Sequence, residues 1–292
     1  MRHPRVGVAV LTMGTRPAEL AALLDSVAAQ ETPATRVVVV GNGTPLPDGL
    51  PKEVATVELA ENLGIPGGRN VALEALRDFG DVDVVVNLDD DGLLVDRHVF
   101  TRLVELYAAD ERLGVVGFRI ADERGRTARR HVPRLRASDP MRGGPVTTFL
   151  GGAHALSMAM LDEIGGWPEP FFYAHEETDL AWRALDARWK VLYAPELELR
   201  HPWTSPTRHA VYYRNLARNR VWLAKRNLPV LLVPAYLGVW TALTLARTRS
   251  GSGLKAWFAG FAEGVRTPCP PRRPMRWSTA WLMTRLGRPP VI

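Results

Sequence analysis

Short apolar runs rich in β-branched residues alternate along the chain with segments in which apolar residues recur every three or four positions. The first pattern predicts buried strands, and the second predicts amphipathic helices. The predicted strands cover residues 5–11, 36–40, 55–59, 82–88, 114–120, 147–158 and 189–194. The predicted helices cover residues 17–30, 70–79, 99–109, 160–164 and 177–188. This alternation predicts an α/β fold with a mostly parallel sheet and right-handed crossovers.

Three segments depart from the alternation. Residues 61–68 are polar and contain glycines, which predicts a loop. Residues 122–145 are rich in Arg, Gly and Pro, which predicts a long loop near the functional site. From about residue 212 the pattern becomes helical, basic and aromatic. We therefore expect an N-terminal α/β domain over residues 1–210 and a C-terminal helical region over residues 211–292.

The C-terminal region contains an uncharged, mostly apolar run over residues 229–246, flanked by Lys225, Arg226, Arg247 and Arg249. Its length is marginal for a membrane span, and it contains a proline and a glycine. Basic and aromatic residues beside an apolar helix are typical of an interfacial membrane anchor, which is the favoured interpretation. A helix packed within a soluble domain and a true span stay open as alternatives.

Charge and cysteine content narrow the possible partners. The formal net charge of +6 favours anionic partners such as nucleotide phosphates, nucleic acid or an acidic membrane surface. The basic residues form no recognised nucleic-acid-binding module, so we expect no nucleic-acid partner. Cys269 is the single cysteine, so no disulfide forms within one chain, which fits a reducing cytoplasm. Residues 6–13 are too short for an export signal and are better interpreted as a strand.

An acidic triplet, Asp89-Asp90-Asp91, directly follows the predicted strand over residues 82–88. Adjacent carboxylates repel one another unless a cation compensates them, and oxygen ligands suit Mg²⁺ or Mn²⁺. Thr12 and Asn42 also follow predicted strands, and ligands bind at the carboxyl ends of parallel strands. The alternative is a solvated acidic turn. It is less favoured because the run before the triplet, residues 82–88, is strongly apolar.

A second acidic group, His175-Glu176-Glu177-Thr178-Asp179, opens the helix predicted over residues 177–188. A carboxylate at this position can remove the proton of an acceptor hydroxyl. The alternative is helix capping, because acidic residues favour the positive end of a helix. Both interpretations can hold together.

A glycine-containing segment, residues 62–70, ends in Arg69 and Asn70 at a predicted helix start. Glycines permit close approach of the backbone to a ligand, and an arginine there can bind a phosphate or a base. His201 follows the last predicted strand and is either a metal ligand or a structural histidine.

Taken in order, these motifs resemble glycosyltransferase family 2, which has the GT-A (Rossmann-like) fold, and its rhamnosyl- and galactofuranosyltransferase members in particular. The resemblance extends from about Val6 to Trp203. It includes the acidic triplet, the glycine pair at 151 and 152, the sequence Gly-Gly-Trp-Pro-Glu-Pro-Phe-Phe, and the acidic group before Asp-Leu-Ala-Trp-Arg. Each motif is moderately specific, and the set in this order is specific.

The resemblance implies a role for particular positions. The nucleotide pocket is implied to contain Thr12, Arg16, Asn42, Asn62, Gly64, Arg69, Asp89 and Asp90. A divalent metal, Mn²⁺ or Mg²⁺, is implied at Asp91, with Asp89 and His201 as further ligands. Glu177 falls on the family's catalytic-base position, with Glu176 and Asp179 as rival carboxylates. The acceptor is implied to enter at Gly151, Gly152 and Trp167.

Two positions depart from the family's pattern. Gly41 and Asn42 replace the aspartate that usually reads the nucleobase, so the identity of the base stays open. Glu177 replaces the usual catalytic aspartate and is one methylene longer.

The resemblance implies an inverting, metal-dependent transferase that moves a sugar from a nucleoside-diphosphate sugar to a hydroxyl acceptor. A glycan of the cell envelope or a lipid-linked acceptor at the inner face of the cell membrane agrees with the C-terminal region. The first alternative is a non-catalytic carbohydrate- or nucleotide-binding relative. Such a protein would not need a metal-binding acidic triplet together with a carboxylate base. A nucleotidyltransferase is the second, although it has less use for that base.

Overall fold

The computed structural model describes residues 3–136, 139–202 and 210–292, over which the chain forms one sheet with helices on both faces. The strands are β1 (Val6–Thr12), β2 (Arg36–Gly41), β3 (Val54–Glu58), β4 (Val84–Asp89), β5 (Leu93–Leu94), β6 (Leu113–Ala121), β7 (Gly144–Pro145), β8 (Ala153–Ser157) and β9 (Lys190–Arg200). The α-helices are α1 (Pro17–Ala28), α2 (Gly64–Asp78), α3 (Val99–Ala109), α4 (Met158–Ile164), α5 (Glu176–Asp186), α6 (Ala210–Asn227), α7 (Leu232–Arg247), α8 (Gly251–Arg266) and α9 (Trp277–Arg285).

The strands of the sheet lie in the order β3-β2-β1-β4-β8-β6-β9-β5, and β7 pairs with β9. The pairs from β3 to β4 are parallel, whereas β8 runs antiparallel to both β4 and β6. The predicted α/β class is confirmed, and the sheet is mixed in its second half. The segment between β6 and β8 contains no α-helix in its described part, so β8 starts at the edge where β6 ends and runs back.

The register of the parallel strands collects polar residues at one edge. Thr12 pairs with Gly41 of β2, and the neighbouring Leu11 pairs with Asp89 of β4. The ends of three strands, and the loops that follow them, therefore meet at the carboxyl edge of the sheet. This is the edge at which α/β proteins bind ligands.

Both faces of the sheet are covered. Helices α1 and α3 pack on one face through side chains such as Leu23 and Phe100. Helices α2, α4 and α5 pack on the other through side chains such as Leu76, Leu161 and Leu180. Burying each of these side chains stabilises the fold by about 1.5–3 kcal/mol.

Helix α2 begins at Gly64, six residues before the predicted start, so the predicted loop over residues 61–68 is wrong over its second half. Gly64 has φ of +73°, and a side chain there would meet the backbone of Phe172. Gly67 and Gly68 lie within the helix because Leu63 and Leu11 occupy the space that their side chains would need. The glycines therefore serve close packing of the helix start, in addition to any approach of a ligand.

The C-terminal helices are joined to the α/β core. Helix α6 buries Ala217, Val221 and Leu223 completely. Helix α8 crosses α6 closely, since a side chain at Gly260 or Gly264 would meet the α6 backbone. The predicted boundary between residues 210 and 211 comes directly after residues 203–209, which lie outside the described part of the chain.

The apolar run at residues 229–246 forms most of α7, in which Tyr236 is the buried residue. Within the described residues, no helix combines the length and the apolar character that crossing a bilayer requires.

Candidate active site

A cleft of about 610 Å³ opens at the carboxyl edge of the sheet. Its polar lining contains Arg16, Asn42, Asn62, Arg69, Asn87, Asp89, Asp90, Asp91, His201 and Asn215. Gly64, Phe172, Tyr173, Val211 and Tyr212 also line it. Loops after β1, β2, β4 and β9 therefore meet the start of α6 around one cavity.

Three side chains in this cleft are arranged as metal ligands. One ligand atom from each of Asp89, Asp91 and His201 lies within 4.8 Å of the others. The Nε2 atom of His201 is 2.9 Å from Asp91 Oδ1 and 4.0 Å from Asp89 Oδ2. The other ring nitrogen, Nδ1, lies 3.0 Å from the Pro202 carbonyl oxygen. A histidine whose Nδ1–H donates to a carbonyl presents Nε2 as a ligand.

The burial of Asp91 supports this interpretation. Its side chain is 3% exposed, yet Oδ1 has no hydrogen-bond partner of good geometry in the described structure. A buried carboxylate oxygen without a hydrogen bond costs free energy that a cation would offset. Two carboxylates and an imidazole form a donor set that Mn²⁺ accepts.

Positive charge surrounds the acidic triplet. Arg16 forms an ion pair with Asp91 and lies 3.8 Å from Asp90. Thr12 Oγ1 donates a hydrogen bond of 2.6 Å to Asp90 Oδ2. Burial raises the pKa of Asp90 above its ordinary value. Burial also acts to raise the pKa of Asp91, but the contact with His201 and the charge of Arg16 outweigh it and lower that pKa.

Asn42 holds the loop before α2 in place. Its Nδ2 donates to Asn62 Oδ1 at 3.0 Å and to the Gly64 carbonyl at 3.1 Å. Its Oδ1 accepts a hydrogen bond of 2.9 Å from the Leu63 amide. Asn42 is 2% exposed, so in this structure it shapes the wall of the cleft around Asn62 and Gly64.

Arg69 lies at the centre of the site. Its guanidinium stacks on the Trp167 ring, 5.0 Å from the ring centroid. It donates a hydrogen bond of 2.7 Å to the Gly151 carbonyl and lies 3.6 Å from Asp89 Oδ1. The buried Nη1 has no hydrogen-bond partner in the described structure. Arg69 therefore connects the metal-ligand cluster to the Gly151-Gly152 segment and offers a spare donor.

The Gly151-Gly152 segment separates two carboxylates. A Cβ on Gly151 would overlap Glu177 Oε1, and a Cβ on Gly152 would lie 3.1 Å from Asp89 Oδ2. A side chain at either glycine would force the neighbouring carboxylate to shift. Glu177 and Asp89 therefore both approach the same short stretch of backbone.

Glu176 and Glu177 occupy the first turn of α5 and differ in exposure. Glu176 is 1% exposed, and its Oε2 has no hydrogen-bond partner in the described structure. Glu177 is half-buried beside Gly151. Burial raises the pKa of both carboxyl groups, and the charge of Glu177 raises the pKa of Glu176 further.

Seven of the predicted site residues do not line the cleft, namely Thr12, Gly151, Gly152, Trp167, Glu176, Glu177 and Asp179. The Asp179 carboxylate is fully buried and lies 2.7 Å from Arg183 Nε and 2.9 Å from Arg226 Nε. It also accepts a hydrogen bond of 2.8 Å from Asn227, so it joins α5 to α6. Trp167 is 4% exposed and lies in the core under Arg69.

The segment before α5 has an unusual backbone. Phe172, Ala174 and His175 have positive φ angles of 61°, 74° and 72°. Such angles cost free energy in residues other than glycine and persist only where surrounding contacts impose them. Asn219 of α6 provides those contacts, since its Nδ2 lies 2.7–2.8 Å from the carbonyl oxygens of Phe171, Tyr173 and Ala174.

Helix α6 supplies residues that the sequence patterns did not predict for the site. Val211, Tyr212 and Asn215 line the cleft, and the Tyr212 ring meets the Tyr173 ring edge-on at 6.1 Å. The adjacent tyrosines at 212 and 213 are the available sequence signal. They lie far from the acidic motifs along the chain, so the sequence did not indicate that this helix reaches the site.

The fold resembles solved glycosyltransferases of the GT-A type. The mannosyltransferase PcManGT from Pyrobaculum calidifontis, in complex with GDP-Man and Mn²⁺, is 18% identical with a TM-score of 0.59, over 98% of this chain and 85% of that one. S. aureus TarS 1-349 is 17% identical with a TM-score of 0.61, over 90% and 81%. GalNAc-T7 with UDP, GalNAc and Mn²⁺ is 12% identical with a TM-score of 0.64, over 93% and 59%.

The architecture and these likenesses define the chain as a GT-A protein. A search of curated proteins finds no match. The family model described as Glycosyl transferase family 2 matches residues 8–165, which is more than half of the chain. The chain therefore belongs to glycosyl transferase family 2 and is a glycosyltransferase.

Proposed function

We propose that the protein transfers a sugar from a nucleoside-diphosphate sugar to an acceptor hydroxyl, with inversion at the anomeric carbon. The observation that carries this proposal is the approach of Glu177 and Asp89 to the two ends of the Gly151-Gly152 segment. A donor held at Asp89 and an acceptor hydroxyl at Glu177 would approach each other along the Gly151-Gly152 segment, where no side chain stands between them. Such positioning lowers the entropic cost of bringing two reactants together.

The donor nucleotide fits the end of the cleft formed by β1, β2 and the start of α2. We assign Asn42, Asn62, Gly64 and Asp90 to the wall of the nucleotide pocket, and we assign to the buried Thr12 the positioning of Asp90 through its hydrogen bond. The solved relatives include a mannosyltransferase with GDP-Man and Mn²⁺ and TarS with UDP-GlcNAc. These complexes support a nucleoside-diphosphate sugar as the donor class.

Asp89, Asp91 and His201 would hold a divalent metal, Mn²⁺ or Mg²⁺. Bound there, the metal supplies positive charge to the leaving diphosphate. Arg16 is 43% exposed at its side chain, so it can turn from Asp91 toward the diphosphate. Arg69 offers its unpartnered Nη1 to the same charge.

Glu177 accepts the proton of the acceptor hydroxyl while the hydroxyl oxygen attacks the anomeric carbon. The bond from that carbon to the diphosphate oxygen breaks as the new bond forms, so a single displacement inverts the configuration. Glu177 is better placed than Glu176 because it is only partly buried and lies beside Gly151, whereas Glu176 is 1% exposed. Asp179 has a structural role, since two arginines neutralise it within the core.

Donor binding is tested by thermal stabilisation with UDP, GDP and dTDP, each with and without Mn²⁺. We expect one nucleotide to raise Tm only with Mn²⁺, and we expect Asp91→Ala to abolish this shift. The matched control is Asp162→Ala, an exposed aspartate outside the cleft, which should keep it. Absence of a shift with every nucleotide in folded protein would contradict the proposed donor class.

The base is tested with Glu177→Gln, which keeps the size of the side chain and removes its basicity. We expect turnover to fall by about 100-fold or more, with Mn²⁺-dependent nucleotide binding unchanged. Glu176→Gln is the matched control and should keep most of the turnover. The reverse result would assign the base to Glu176.

We also propose that the C-terminal region, residues 211–292, docks on the inner face of the cell membrane. Trp277 and Trp281 of α9 are 56% and 65% exposed, and Leu231 before α7 is 75% exposed. Exposed tryptophans beside arginines such as Arg276 suit the interface of an anionic bilayer. Trp277→Ser with Trp281→Ser should reduce co-sedimentation with phosphatidylglycerol vesicles, and unchanged sedimentation would contradict this docking surface.

A further inference from the structure

A groove lined by six arginines lies between the loop after β6 and helix α7, with a volume of about 730 Å³. The loop contributes Arg129, Arg130, Arg134 and Arg136, α7 contributes Arg247, and the segment after α9 contributes Arg288. Among the residues that the structure describes, no Asp or Glu side chain lines this arginine groove. Positive charge is therefore concentrated along this groove.

Part of this charge is withdrawn from solvent. Burial lowers the pKa of Arg134 and of Arg288. Arg134 donates hydrogen bonds to the carbonyl oxygens of Arg142 and Gly143, at 3.3 Å and 2.7 Å. These neutral carbonyls orient the guanidinium but do not neutralise it. Like charges around one groove cost free energy, which a bound anion would recover.

Apolar side chains also line the arginine groove. Val239 and Leu243 of α7 line it together with Ile292. Farther along α7, Leu245 is 51% exposed. A ligand that matches both kinds of side chain carries anionic groups next to an apolar chain. Arginines recognise phosphate oxygens through paired hydrogen bonds, which makes phosphate the best matched anion.

The arginine groove and the active-site cleft each share a lining residue with a second cavity. Arg130 lines both the groove and a second cavity of about 530 Å³, formed mainly by residues 120–131. His201, from the metal-ligand cluster, lines both this second cavity and the active-site cleft. A ligand anchored by its phosphate in the groove would extend along this second cavity toward the site of transfer.

We propose that the arginine groove binds the phosphate or diphosphate group of a lipid-linked acceptor, with the lipid chain along α7 and the acceptor hydroxyl toward Glu177. This inference rests on the proposed transferase function and names its acceptor class. The membrane-facing helices and the phosphate site then act together, because both hold an amphiphilic acceptor at the bilayer surface.

The test is binding to phosphatidylcholine vesicles that contain a polyprenyl diphosphate, compared with vesicles that carry equal charge as phosphatidylglycerol. The wild-type protein should bind the polyprenyl diphosphate vesicles more tightly, and inorganic pyrophosphate should compete. The groove variant combines Arg129→Ser, Arg136→Asn and Arg247→Ser, all at exposed positions. We expect it to bind these vesicles about tenfold more weakly or worse.

The control variant combines Lys52→Ser, Arg97→Ser and Arg188→Asn, which removes the same charge from exposed residues outside the groove. The asparagines match because Arg136 and Arg188 both have positive φ angles, which asparagine tolerates. Equal binding by the groove and control variants would overturn the proposal. Equal wild-type binding to both kinds of vesicle would also overturn it. So would a failure of pyrophosphate to compete with the polyprenyl diphosphate vesicles.

Failure of this inference can be separated from failure of the proposed function. The vesicle assay needs no nucleotide, whereas the donor assay needs no lipid. The groove variant should keep the Mn²⁺-dependent nucleotide shift, and Asp91→Ala should keep vesicle binding. Loss of vesicle discrimination with an intact nucleotide shift would reject the acceptor site alone.

Discussion

The Nδ2 atom of Asn219 lies 2.7 Å from the carbonyl oxygen of Tyr173, three residues before Glu176. Asn219 is fully buried on α6, and it also contacts the carbonyl oxygens of Phe171 and Ala174. Helix α6 therefore fixes the strained backbone from which α5 begins. The first turn of α5 carries Glu177, so the C-terminal region contributes to the placement of the proposed base.

Replacement of Asn219 with leucine keeps most of the volume and removes the donor. We expect the free energy of unfolding to fall by about 1–3 kcal/mol, because buried carbonyls lose their partner. We also expect kcat to fall more than nucleotide affinity, since the positioning of Glu177 suffers and the nucleotide wall does not. Urea unfolding, turnover and nucleotide titration together check this prediction. A proportional loss of kcat and of nucleotide affinity would indicate general misfolding instead.

Gly151→Ala should reduce turnover strongly while the protein stays folded. The added methyl group would overlap Glu177 Oε1 and displace the carboxylate from the Gly151-Gly152 segment. We expect a loss of about tenfold or more in kcat, which is typical when a reacting group is misplaced by a small distance. Gly251→Ala is the matched control, because nothing lies within 4 Å of a side chain there. Equal turnover of the two variants would argue against Glu177 as the base.

The pH dependence of kcat should report the burial of Glu177. Burial raises the pKa of this carboxyl group, and the protonated form cannot accept a proton. Turnover should therefore fall, as pH is lowered, at a higher pH than an ordinary glutamate would give. The acidic limb should persist in Glu176→Gln. An acidic limb at the ordinary glutamate pKa would contradict the proposed environment of the base.

Asp179→Ala should act on stability and leave the site chemistry alone. Removing this carboxylate leaves Arg183 and Arg226 without their buried counter-ion, which costs about 3–5 kcal/mol of unfolding free energy. The exposed ion pair of Asp162 with Arg77 is a suitable comparison, and Asp162→Ala should cost at most about 1 kcal/mol. Chemical denaturation measures both, and similar small losses would show that Asp179 has no such structural role.

The sequence predicted the strands and helices that build the site, because their periodic burial is a local property of the chain. The acidic triplet followed an apolar run, and the structure indeed places Asp89 at the end of β4. The start of α2 was misplaced because glycines at residues 64, 67 and 68 signal a loop locally. In the structure, Leu63 packs against Gly67 and Leu11 packs against Gly68. These two helical positions therefore have no room for a larger residue.

What the sequence by itself determined was the class of fold, the acidic triplet and the three candidate bases Glu176, Glu177 and Asp179. Tertiary structure decided that one of the three carboxylates in the second motif, Asp179, is neutralised by arginines within the core. Asp179 points into the interface with α6, where Arg226 and Asn227 meet it, and these partners are far away along the chain. Tertiary structure also brought Asn219 under the strained turn and gathered six arginines into one groove. Such contacts depend on how helices pack across the core, and packing between distant segments leaves no periodic trace in the sequence.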